Sequence, residues 1–118
     1  MILPGTQMQV YLAPGATDMR KQIDGLAAMV SDVLGQDPFS SALFVFCNQR
    51  RDKLKLLFWH RNGFWLWYRR LERGRFHWPR TVLEGAAVQI STRELGWLLE
   101  GLDLTQVQGH EQADFELL

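Results

Sequence analysis

Apolar residues recur along this chain with a spacing that switches between the period of a strand and that of a helix, and the order of the switches predicts the elements. Residues 8–13, MQVYLA, are β-branched and aromatic enough for a short strand, which Pro14 and Gly15 end with a turn. Thr17 or Asp18 then caps a helix of about four turns, in which Met19, Ile23, Leu26, Ala27, Val30, Val33 and Leu34 form the apolar stripe. Arg20, Lys21, Asp24 and Asp32 fall largely elsewhere, and Gly35 stops the helix at the left-handed cap position. The run LFVFC at 43–47 is too short for a typical helix and reads as a strand, with NQRRD as the reversal after it. Lys53 to Trp59 and Phe64 to Leu71 are two further strands, and Asn62-Gly63 between them suits a type I′ hairpin turn.

Side chains alternate between the two faces of a sheet, so the hairpin divides them into two sets, and two-residue and four-residue loops give the same division. One face collects Leu54, Leu56, Phe58, Trp65, Trp67, Arg69 and Leu71 and is expected to pack on the helices. The other collects Lys53, Lys55, Leu57, Trp59, Arg61, Phe64, Leu66, Tyr68 and Arg70, mixes cations with flat rings, and is expected to stay open to a partner. Downstream, RFHW at 75–78 adds an edge strand closed by Pro79, and Val88 to Ile90 is a further strand. Ser91 with Glu94 forms a capping box for a second helix, whose stripe is Leu95, Leu98, Leu99 and Leu102 and whose end is Gly101. The predicted fold class is α+β: a small antiparallel sheet of about four or five strands with two helices packed on one face. Residues 1–103 form a single domain, and 104–118 an acidic, flexible tail.

Composition agrees with an ordinary globular domain: 118 residues, of which 47% are apolar and 22% charged. A lone cysteine, Cys47, inside an apolar run points to a reducing compartment. The N-terminus lacks the charged start and apolar core of a secretion signal, and no run approaches membrane-spanning length, so the expected location is the cytoplasm, away from any membrane. The formal net charge is zero, but it is unevenly distributed. Residues 50–80 hold ten Lys or Arg against Asp52 and Glu72, a local charge of +8 that the rest of the chain cancels. Lysine and arginine neutralise phosphates, and aromatic rings stack on unpaired bases. The residues expected to contact nucleic acid are Arg50, Arg51, Lys53, Lys55, Trp59, Arg61, Tyr68, Arg70, Arg73 and Arg75. Trp65 and Trp67, on the apolar face, are expected to be core.

No enzymatic chemistry suggests itself. The thirteen carboxylates are scattered rather than clustered as in a two-metal site. His60, His77, His110 and Cys47 lack metal-ligand spacing, the serines lack a base, and there is no glycine-rich phosphate loop. No catalytic residue, metal or cofactor is assigned.

The stretches TDMRKQIDGLAAMV (17–30) and DPFSSALFVFCNQRRDKLKLLFWHRNGFWLWYRRLERGRFHWP (37–79), above all GFWLWYRRLERGRF, resemble the TnpB-type accessory protein encoded by the second open reading frame of the insertion-sequence sixty-six family. The resemblance covers about residues 9–103, with Thr17 to Lys21 and Gly63 to Pro79 as its signature positions. It departs from the expected pattern at Cys47-Asn48-Gln49 and His60-Arg61-Asn62, so loop contacts transfer least. It implies a non-enzymatic accessory factor of bacterial DNA transposition, encoded beside a separate transposase that carries the catalytic triad. The expected partners are DNA, through the basic aromatic hairpin, and that transposase, with a homo-oligomer as a further option. The alternative is a protein-interaction module that binds the transposase or itself without touching DNA, using Trp59, Phe64 and Tyr68 as anchors.

Overall fold

The computed structural model describes residues 8–79, 82, 85, 87–101, 116 and 117. Among them are the strands β1 (Val10–Leu12), β2 (Leu43–Cys47), β3 (Lys53–His60), β4 (Gly63–Arg70), β5 (Val88–Ile90) and β6 (Glu116–Leu117), with helices α1 (Ile23–Asp32) and α2 (Thr92–Leu99). The strands form one sheet in the order β4-β3-β2-β1-β5-β6. Only β1 and β2 run parallel, joined by a crossover through α1; the other neighbouring pairs are antiparallel. The α+β class therefore holds, with a sheet that is mixed and wider than expected. The tail expected at 104–118 lies outside the described residues, apart from β6.

The helices take opposite faces of the sheet, not one. β2 sits in its middle with all five residues buried, and its alternation puts Phe44 and Phe46 on one side and Leu43, Val45 and Cys47 on the other. A strand that is apolar on both sides needs cover on both. Tyr11, Phe44, Phe46 and Leu57 meet Leu26 and Val30 of α1 and Leu34 just beyond its end. Val10, Leu12, Leu43, Val45, Leu54, Leu56 and Phe58 pack with Leu95 and Leu98 of α2 and with Phe76, Trp78 and Val82. The segment at 75–78, expected as an edge strand, is instead a strap outside the strands that crosses this second face. Phe76 and Trp78 are buried, His77 is exposed, and burying Phe76 contributes about 2 kcal/mol.

α1 is shorter than the periodicity predicts. Neither Thr17 nor Asp18 caps it; the N-cap is Gln22, with no side-chain bond. Residues 18–21 instead form a turn: Asp18 Oδ1 accepts from the Arg20 backbone N–H at 2.9 Å, and Lys21 N–H reaches Asp18 O at 3.1 Å. Gly35 behaves as expected, with φ +64, and Gln36 N–H returns to Val30 O at 3.0 Å. For α2 the capping box forms as predicted, with Ser91 Oγ accepting from Glu94 N–H at 3.1 Å and Glu94 Oε1 accepting from Ser91 N–H at 3.0 Å.

The β3–β4 register is unbroken from Lys53↔Arg70 to His60↔Gly63, so the turn residues are Arg61 and Asn62, one position earlier than the predicted Asn62-Gly63. Arg61 takes the positive φ, +61°, where type II′ turns favour glycine. A non-glycine residue there costs roughly 1 kcal/mol. In return Phe58 faces Trp65 and Trp59 faces Phe64, and cross-strand aromatic pairs contribute up to about 1 kcal/mol each. The division of side chains between faces is unchanged, because this register keeps the same parity.

Candidate nucleic-acid interface

The base of the β3–β4 hairpin is built on Asn48. Its Oδ1 accepts from the backbone N–H of Asp52 at 3.1 Å and of Lys53 at 3.0 Å, and its Nδ2 donates to Asp52 Oδ1 at 2.7 Å. That last bond holds the Asp52 carboxyl below its ordinary range. Arg51 sits in the turn at φ +61°, with its N–H on Asn48 O at 3.1 Å. The chain leaving β4 returns to this turn: Leu71 N–H donates to Asp52 O at 2.8 Å and Phe76 N–H to Arg51 O at 2.6 Å. Two polar loops remote in sequence are thereby locked side by side. Arg50 on the first loop and Arg73 and Arg75 on the second are exposed, and Arg51 is half-buried. Exposed Arg69, at the end of β4, joins the same end of the ribbon.

Arg70 pairs with Glu72, Nη2 to Oε1 at 2.9 Å, and this holds its guanidinium above the usual value. Both side chains are more than half exposed, so solvent screens the pair and a phosphate can displace the carboxylate. Lys53 stands directly across from Arg70, a like-charge pair that Glu72 relieves.

Lys55 is turned inward. It is 6% exposed, and its Nζ donates to Met19 O at 2.8 Å and Lys21 O at 2.7 Å. The Thr17–Lys21 signature is therefore a loop whose freed carbonyls hold a buried ammonium, and Lys55 is a structural cation. Lys53 and Tyr68, together with Asp18, Met19, Arg20, Gln22, Lys55 and Leu66, line an open groove of about 620 Å³ beside this loop. Arg20 binds Asp18 through Nε and Nη2, and that hydrogen-bonded pairing pulls the Asp18 carboxyl down to about 2.

Arg61 lies at the hairpin tip, eight residues or about 26 Å along the ribbon from the base, and does not belong to the cluster. Trp59 is half-buried, with Phe39 and Phe64 edge-on at 5.0 Å, so its ring is covered by its own chain. The face expected to be open is instead covered in parts, at Leu57, Phe64 and Leu66 by the α1 cluster, at Lys55 by the Met19–Lys21 loop and at Trp59 by Phe39, and Tyr68, 52% exposed, is the ring left out. Trp67 packs on the core as expected, but Trp65 does not: it too is 52% exposed, lying over Phe58 at 6.4 Å. Its place beside the hairpin tip on an outermost strand explains this. Asn48 and Arg20 are the residues that strand alternation and charge counting pass over; Arg69 is counted among the ten cations but expected on the packed face. Among the described residues no three His, Cys, Asp or Glu side chains converge on a possible metal site, and no helix is long and apolar enough to cross a membrane.

Fold and site together define a small α+β protein with a basic hairpin base. Residues 8–109 match the family model described as IS66 Orf2 like protein. The chain belongs to this family of accessory proteins associated with insertion-sequence transposition. Among curated proteins it is similar to the uncharacterized protein y4hO of Sinorhizobium fredii, at 40% identity over 87% of this chain and 88% of the relative. It is also similar to the uncharacterized protein y4jC of the same organism, at 33% identity over 92% and 91% of the two chains. No solved structure matches.

Proposed function

We propose that this chain is a non-enzymatic accessory factor that binds DNA during transposition through the base of the β3–β4 hairpin. Arg50, Arg51, Arg69, Arg73 and Arg75 make the phosphate contacts, with Lys53 and Arg70 flanking them. The observation that carries this reading is the joining of the 48–53 and 71–76 loops by the Arg51–Phe76 and Asp52–Leu71 backbone bonds. They gather most of the local cationic excess at one end of a rigid ribbon, where it costs little to bring to a duplex. Tyr68 lies beside Lys53 and offers a ring to an unpaired base. Lys55 and Trp59 serve the fold, and the separate transposase supplies the chemistry.

Counterion release gives the test. Binding to element-end duplex DNA, followed by fluorescence anisotropy over a range of salt concentrations, is expected to show a log-log slope of about −3 or steeper, at about −0.9 per phosphate neutralised. An affinity insensitive to salt overturns the reading in favour of a module that recognises the transposase alone.

A further inference from the structure

β4 is the outermost strand on its side of the sheet, and its outer edge has the properties of an unfilled half of a ladder. Even-numbered residues of β3 bond towards β4, because Asn48 N–H takes Lys53 O on the other side and Leu71 N–H takes Asp52 O. Gly63, Trp65, Trp67 and Arg69 therefore turn their backbone groups inward. Phe64, Leu66, Tyr68 and Arg70 turn theirs outward, and among the described residues these have no backbone partner. Edge strands are ordinarily blunted by shortness, a bulge, a proline or inward charges. β4 is eight residues long, unbulged and free of proline, and it carries its charges only at Arg69 and Arg70. Trp65 and Tyr68, each 52% exposed, flank this edge on opposite faces.

We propose that a second copy of this chain adds its own β4 antiparallel to this edge, with the two-fold axis at Leu66, so that two sheets become one. The sequence of β4 is self-complementary in that register and less so in its neighbours. With the axis at Leu66, Trp65 faces the second copy's Trp67, Phe64 faces its Tyr68, and Leu66 faces its own mate. Arg69 then falls opposite Gly63 and Arg70 opposite Asn62, where side chains are small or neutral and no like charges meet. Moving the axis to Trp67 would set Trp65 against Arg69 and Phe64 against Arg70, keeping Leu66 against Tyr68 and Trp67 against its mate but losing the pairs made by Trp65 and Phe64. The two basic hairpin bases end up at opposite ends of the joint sheet, with Arg69 and Arg70 at the two ends of the seam and Arg50, Arg51, Arg73 and Arg75 on the loops beyond it.

Sedimentation equilibrium of the full chain at micromolar concentration is expected to give twice the chain mass. At a hydrogen-bonded antiparallel pair the Cα atoms are about 5.5 Å apart, within disulfide range. Leu66→Cys is thus expected to form an intermolecular disulfide on mild oxidation. In Tyr68→Cys the two cysteines would sit about 13 Å apart along the strands and stay unlinked. Leu66→Pro removes an outward N–H without touching the β3 ladder, and is expected to give a folded monomer by circular dichroism. A wild-type chain that stays monomeric overturns the proposal, as does a dimer in which Leu66→Cys fails to cross-link. Salt-dependent DNA binding is read separately, so either idea can fail without the other.

Discussion

Lys55 illustrates how a residue type can mislead when its partners are backbone. It sits in the most basic part of the chain, yet its ammonium is held by the carbonyls of Met19 and Lys21 beneath the Thr17–Lys21 loop. Hydrogen bonds to a charged group are worth about 1.5–3 kcal/mol each, so Lys55→Met is expected to lower stability by about 2 kcal/mol or more, read as a shifted urea midpoint. Exposed Arg73→Ala is expected to leave that midpoint within about 0.5 kcal/mol of the original. Cys47 is the complementary case, a nucleophile silenced by burial. Its thiol is 1% exposed, and desolvation pushes its pKa up to about 12. Since the thiolate is the reactive form, Cys47 is expected to resist iodoacetamide at pH 8 in the native protein and to react readily in denaturant. Alkylation of the native chain at the rate of the unfolded one would contradict this placement.

At the scale of elements, what the sequence discloses depends on whether one segment or two decide it. The capping box at Ser91 and Glu94, the left-handed Gly35 shortly beyond α1 and the limits of β2 are local, and each is legible in a few residues. The face partition of the hairpin is legible too, because parity survives a shift of the turn. What covers each face is not, since it depends on where α1 and the 75–78 strap land, and no short-range signal carries that. The start of α1 is missed for the same reason: helical spacing continues back to Met19, but Lys55, more than thirty residues away, takes the carbonyls that a longer helix would have used. The hairpin turn shows local preference yielding to pairing. Arg61→Gly is expected to stabilise the hairpin by about 0.5–1 kcal/mol in thermal or urea unfolding, by relieving the positive φ. Destabilisation would mean that the Arg61 side chain makes an interaction that outweighs the strain.

For the whole molecule, the fold explains why a chain with no net charge presents a basic end. Only tertiary structure brings Arg50 and Arg51 beside Arg73 and Arg75, and only tertiary structure removes Lys55 from the count and sends Arg61 to the far end of the ribbon. Charge counting finds the segment but not the surface. The most direct test of the DNA-binding account is the affinity of the Arg50→Ala/Arg73→Ala/Arg75→Ala triple variant for element-end duplex DNA, set against the native chain and against Arg61→Ala at matched salt. The account predicts at least about a tenfold loss for the triple variant, with its salt slope shallower by about one per phosphate contact removed, and little change for Arg61→Ala. A folded triple variant that binds as tightly as the native chain, with the same salt slope, would contradict it.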